Sequence, residues 1–112
     1  MCILPDEREF FLEAMTFWGE EKQTNMLIEE IGELLQAINK YRRNPTKENK
    51  DKFVIELADV GLLIEQHEVY LDPVLYRKSR NYKLERTQNK LARQKEMLKN
   101  KEETQLYGAS FK

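Results

Sequence analysis

Two short runs of acids carry the chemistry this chain could do. The first is Glu29-Glu30-Ile31-Gly32-Glu33 and the second is Glu56-Leu57-Ala58-Asp59. Residues three apart on a helix share a face, so Glu30 pairs with Glu33 and Glu56 with Asp59. Between Glu33 and Glu56 lie 22 residues, enough for one helix to end, turn and return antiparallel. Packed side by side, two such helices bring four carboxylates together. Four negative charges in one place are costly unless a cation holds them, and hard divalent ions take oxygen ligands. The pattern predicts a site for magnesium or manganese. Magnesium favours a few carboxylates plus substrate phosphates over a closed protein cage, which points to hydrolysis of a phosphoanhydride with a phosphoryl oxygen polarised by the ion. The sequence offers no Ser-His-Asp set, Gly-rich phosphate loop or Cys/His cluster in competition.

The elements that must position these acids are four predicted helices, with no strand. The first runs from about Asp6 to Trp18, with Pro5 and Asp6 as start signals and Gly19 as a stop or kink. The second spans about Glu21 to Arg43 and ends at Asn44-Pro45. Its apolar stripe is Leu27, Ile31, Leu34, Leu35, Ile38 and Tyr41, with Glu30 and Glu33 at one margin. The third spans about Thr46 to Leu71, with Thr46 as N-cap. Phe53, Leu57, Val60, Ile64 and Leu71 form one apolar arc, and Val54, Ile55, Ala58, Leu62 and Val69 a second. A helix apolar nearly all round is internal, and Glu56 and Asp59 interrupt this one. Asp72-Pro73 opens a fourth helix to about Lys101, polar except for Leu75, Tyr82 and the heptad-spaced Leu84, Leu91 and Leu98. Residues 102–112 are expected to fray from a single helical domain over residues 1–101. A third helix with two apolar arcs needs cover on both sides. The expected fold class is therefore an all-α four-helix bundle completed by oligomerisation, at least a dimer.

Composition bounds the function classes. At 112 residues, 40% apolar and 35% charged, the chain fits one helical domain of ordinary size. The single Cys2 gives no disulfide framework and suits a reducing compartment. No apolar run approaches membrane-spanning length, and acids follow the first residues too soon for a secretory leader, so a cytoplasmic protein is expected. Net charge is −1, but residues 77–101 hold ten Lys/Arg against two acids, leaving −9 elsewhere. Such a split suits a polyanion that touches both an acid-held metal and a basic helix.

The order E-E-x-x-E, a spacer of this length, then E-x-x-D resembles the all-α nucleoside triphosphate pyrophosphohydrolases of the MazG-like superfamily. The lead-in Trp18-Gly19-Glu20-Glu21-Lys22-Gln23 and the run from Glu33 to Lys40 resemble its small single-domain members. Glu56-Leu57-Ala58-Asp59-Val60 is similar to the second motif, and Asn81-Tyr82-Lys83-Leu84-Glu85-Arg86 resembles an N-x-K-x-x-R stretch after the third helix. The resemblance covers residues 14–90, about two-thirds of the chain. It implies that Glu30, Glu33, Glu56 and Asp59 ligate magnesium and that Glu29 orients or deprotonates the attacking water. It also implies that Asn81, Lys83 and Arg86 grip the β and γ phosphates and that Trp18 and Gln23 line a base pocket. The implied reaction splits a (d)NTP between its α and β phosphates, in a dimer or tetramer with sites built between chains.

Plainer roles stand beside each of these. An E-E-x-x-E run alone is most often a solvated helix face; the second pair's place on the most apolar helix is what sets this one apart. Trp18 reads more readily as core, Gln23 as a solvated residue near a helix start, and Lys83 and Arg86 equally as solubilising charge. His67, four residues after Leu63 on an apolar helix, reads as a packed histidine. Rival functions are hydrolysis of a modified nucleotide or alarmone, or a non-catalytic helical module that binds nucleotide or nucleic acid. Against nucleic acid, a pI of 5.9 is wrong for a dedicated binder, and the basic helix has few aromatics beyond Tyr76 and Tyr82.

Overall fold

Local punctuation breaks this chain into helices. The computed structural model describes residues 5–110, with side chains from Asp6 to Gln105. Cys2 lies outside the described residues, as do Phe111 and Lys112. The elements are α1 (Pro5–Trp18), α2 (Glu20–Arg43), α3 (Lys47–Leu71) and α4 (Pro73–Ser110), and there is no strand among the described residues. A single residue, Gly19, separates α1 from α2. Its φ of +90° falls where a Cβ is strongly disfavoured, so glycine lets one helix stop and the next begin at once. Its N–H closes α1 on the Met15 carbonyl at 3.0 Å, and its own carbonyl accepts from the Gln23 N–H at 3.1 Å.

The α2–α3 turn is capped as the sequence requires. Thr46 is extended (φ −86°, ψ 161°) and its Oγ1 accepts from the Asn49 N–H at 3.1 Å, satisfying one of the donors a helix start leaves open. The Asn49 side-chain amide donates to the Asn44 carbonyl at 2.9 Å and ties the turn to the new helix. Pro73 fills the first turn of α4, where its missing N–H costs nothing. That helix continues to Ser110, past the Lys101 end expected from sequence.

The chain forms two units, Met1–Pro73 and Val74–Lys112. In the first, α2 and α3 run antiparallel. Tyr41 and Phe53 pack their rings near the turn, with centroids 6.0 Å apart, and Gln23 meets Gln66 at the far end. Helix α1 packs mainly on α3. The core joins Phe11, Ala14 and the fully buried Met15 of α1 to Ala37 of α2 and to Val60, Leu63 and Val69 of α3. The phenylalanine, methionine, valine and leucine side chains among them contribute about 1.5–3 kcal/mol each when fully buried.

Much apolar surface stays outside this core. On α2, Leu27, Leu34, Ile38 and Tyr41 are half-buried, whereas Ile31 and Leu35 are exposed and line up with exposed Ile28 at helical spacing. On α3, Val54, Ala58 and Leu62 form an exposed apolar row, while Val69, further along the same side, is buried. The second unit is the helix α4, on which every described side chain from Val74 to Gln105 is exposed, Leu84, Leu91 and Leu98 included. No helix among the described residues is long and apolar enough to cross a membrane.

Candidate metal centre

The antiparallel pairing of α2 and α3 brings three of the predicted acids together. One carboxylate oxygen from each of Glu30, Glu33 and Glu56 lies within 4.8 Å of the others. Glu30 and Glu56 are half-buried and Glu33 is exposed. The Oε2 atoms of Glu30 and Glu56 are shut off from solvent and have no hydrogen-bond partner. Buried oxygens without a donor are rare in folded proteins because each forfeits its hydration. Asp59 stands outside this trio, exposed, yet near enough for its charge to act on Glu30.

Glu30 registers the crowding. Its carboxyl is raised from 4.5 to about 7, first by loss of solvent, then by the charges of Glu33 and Asp59. A hydrogen bond shared with Glu33 and the charge of Glu56 push the same way. A divalent cation would answer all of these costs at once, since it supplies the opposite charge and fills the empty coordination of the two buried oxygens. The donor set, carboxylates from two rigid helices with one side open, suits magnesium or manganese.

Two grooves flank the acids. One, of about 470 Å³, is lined by Trp18, Lys22, Gln23, Met26, Leu62, Leu63 and Gln66 together with Glu30 and Asp59. The structure thus gathers Trp18 and Gln23 beside two of the four acids. Trp18 is 47% exposed rather than enclosed in the core. Gln23 is the reverse of a solvated residue: it is 5% exposed and its Nε2 donates to Oε1 of the equally buried Gln66 at 2.9 Å. Gln66 is the residue that the sequence reading missed. Its signal was a mirrored spacing, with Gln23, Glu30 and Glu33 seven and three apart on α2, and Gln66, Asp59 and Glu56 seven and three apart on α3.

His67 is a packed histidine, as expected. A carbonyl can only accept, so the 2.7 Å contact from His67 Nδ1 to the Leu63 carbonyl places a proton on Nδ1. Its Nε2 meets Thr24 Oγ1 at 3.1 Å, which ties α3 to α2 beside the glutamine pair. Glu29 is exposed and lines a separate shallow groove with Trp18, Lys22 and Met26, outside the carboxylate trio. Asn81, Lys83 and Arg86 lie on α4 in the other unit, all exposed. Lys83 and Arg86 are one turn apart on one face, with Asn81 on another.

No protein-family model matches the chain, and neither a curated protein nor a solved structure shows significant similarity to it.

Metal-free protein should lose stability as pH rises from about 4.5 to 7. In that window the folded chain holds the Glu30 proton that the unfolded chain has released, so raising pH favours unfolding. Urea unfolding in chelator across this range should show that slope, and Glu30→Gln should flatten it. An identical slope in the variant would remove Glu30 as its source.

Proposed function

We propose that this chain is a magnesium-dependent nucleoside triphosphate pyrophosphohydrolase of the MazG-like all-α kind, cleaving (d)NTP between the α and β phosphates to (d)NMP and pyrophosphate. The observation that carries the reading is the meeting of Glu30, Glu33 and Glu56 from two helices, with two buried oxygens lacking any partner. An aromatic-edged groove beside those acids supports a nucleotide over a bare phosphate compound.

Each residue then has a task. Glu30, Glu33, Glu56 and Asp59 would hold magnesium, or manganese in its place. Bound there, the ion would supply the positive charge that offsets charge developing on the phosphates. Trp18 would stack on the base, and Gln23, held by Gln66, would form part of the pocket wall. Glu29, exposed and outside the ligand cluster, would orient the attacking water and take its proton, as a carboxylate base does. Asn81, Lys83 and Arg86 of α4 would contact phosphate oxygens, a role resting on their resemblance and on the charge of that helix. The cellular setting proposed is the cytoplasm.

A homodimer or tetramer belongs to the same reading. The exposed rows Ile28, Ile31 and Leu35 on α2 and Val54, Ala58 and Leu62 on α3 are the kind of apolar surface that monomers rarely leave open. Sedimentation should show a dimer or tetramer, and Leu35→Glu with Leu62→Glu should shift it to smaller species. A wild-type chain sedimenting as a monomer at micromolar concentration would defeat this part.

The reaction is tested by incubating the protein with Mg²⁺ and a panel of dNTPs and NTPs. Pyrophosphate and nucleoside monophosphate should appear in equal amounts. Glu56→Gln should lower the rate by at least about a hundredfold, since an ion ligand and the charge balance of the site are lost together. Tight nucleotide binding without turnover, unchanged in Glu56→Gln, would instead indicate a non-catalytic binding module. Turnover of only a modified nucleotide or an alarmone would keep the site and change the substrate.

A further inference from the structure

The four acids do not all face one way. Glu30 and Asp59 line the groove that holds Trp18, Met26, Leu62 and Leu63. Glu33 and Glu56 line a second groove of about 430 Å³, walled by Lys40, Lys52, Gln36 and Asn49. The acid cluster thus stands between a groove edged by Trp18 that carries one cation, Lys22, and a groove that carries two, Lys40 and Lys52, beside Ala37 and Ile55. A nucleoside triphosphate has the same asymmetry, a flat apolar-faced base at one end and a highly charged diphosphate at the other.

We propose that the Lys40/Lys52 groove is the subsite for the β and γ phosphates, the part of the substrate that leaves as pyrophosphate. This deepens the pyrophosphohydrolase reading and rests on it. The two lysines come from different helices, Lys40 from the last turn of α2 and Lys52 from the second turn of α3. Lys40 has no ion-pair partner among the described residues. Lys52 has only a 3.7 Å contact to Glu48, with both side chains mostly exposed, an interaction of little worth that a phosphate would displace. The Asn49 amide is already committed to the Asn44 carbonyl, so the donors free for phosphate oxygens are the two ammonium groups and the Gln36 amide. Two cations beside Glu33 and Glu56 also complete the charge balance, since the diphosphate brings more negative charge than an ion held by the acids can offset alone. The direction of the substrate follows: base against Trp18, scissile bond over the acids, leaving group toward the α2–α3 turn.

Calorimetric titration with two probes tests this. Inorganic pyrophosphate with Mg²⁺ and a nucleoside monophosphate with Mg²⁺ are each titrated into wild type, Lys40→Met/Lys52→Met, Lys40→Arg/Lys52→Arg and Trp18→Ala. The methionine pair should weaken pyrophosphate binding by about tenfold or more while leaving monophosphate affinity within about twofold. The arginine pair should retain pyrophosphate binding, and Trp18→Ala should show the reverse pattern to the methionine pair. Pyrophosphate affinity unchanged in a helical, correctly assembled methionine variant would overturn the subsite and leave the enzymatic reading standing. Wild-type protein that binds neither Mg²⁺ nor pyrophosphate would overturn that reading, and the subsite with it.

Discussion

The structure turns on an unfavourable interaction, the mutual repulsion of carboxylates that two packed helices hold together. Glu30, Glu33 and Glu56 have oxygens within 4.8 Å of one another, and Asp59 adds its field. On a free helix such side chains would swing apart into water. Here the backbone positions are fixed by packing, and two of the oxygens are shut away from solvent without a donor. The chain tolerates the strain in part by holding a proton on Glu30 up to about pH 7. A divalent cation would remove the strain more completely, and that is the ground of the proposed metal site.

What fixes that register is a set of contacts at the two ends of the α2–α3 pair. Near the turn, the Tyr41 and Phe53 rings pack together and Thr46 caps α3. At the far end, Gln23 bonds Gln66, and Thr24 bonds the ring of His67, which is itself held on the Leu63 carbonyl. The acids lie between these anchors. A slip of one residue would rotate each pair by about 100° around its helix and scatter the oxygens. The buried polar contacts therefore supply alignment, a use for such groups that purely apolar packing serves less well. The glutamine pair also forms part of the groove wall beside Trp18, so the residues that align the helices also line that groove.

The features legible in the sequence were those set locally. Gly19, Asn44-Pro45 and Asp72-Pro73 break helices through backbone chemistry that no tertiary context overrides, and they mark the boundaries observed. The convergence of the acids was legible because helical spacing and a 22-residue separation are nearly sufficient geometry. Less legible was which apolar residues a given helix buries. Ile31 and Leu35 share a stripe with Leu27 and Leu34, yet the partner helix covers only part of its width. Gln66 was hidden for a related reason, because a polar residue on an apolar helix acquires meaning only from the residue opposite it. The division of the acids between the groove edged by Trp18 and the one carrying Lys40 and Lys52 belongs to the pair of helices jointly, and neither helix alone announces it.

The central claim is that the acid cluster is a cost to the free chain which a divalent cation relieves. Thermal unfolding at pH 8, with and without Mg²⁺, for wild type and Glu56→Gln tests it most directly. Without metal the variant should be at least as stable as wild type, because a buried charge and its repulsions are gone. Added Mg²⁺ should raise the wild-type Tm and leave the variant nearly unmoved, as expected for a ligand that binds only the folded state. A wild-type Tm indifferent to Mg²⁺, or one raised equally in both proteins, would contradict the account.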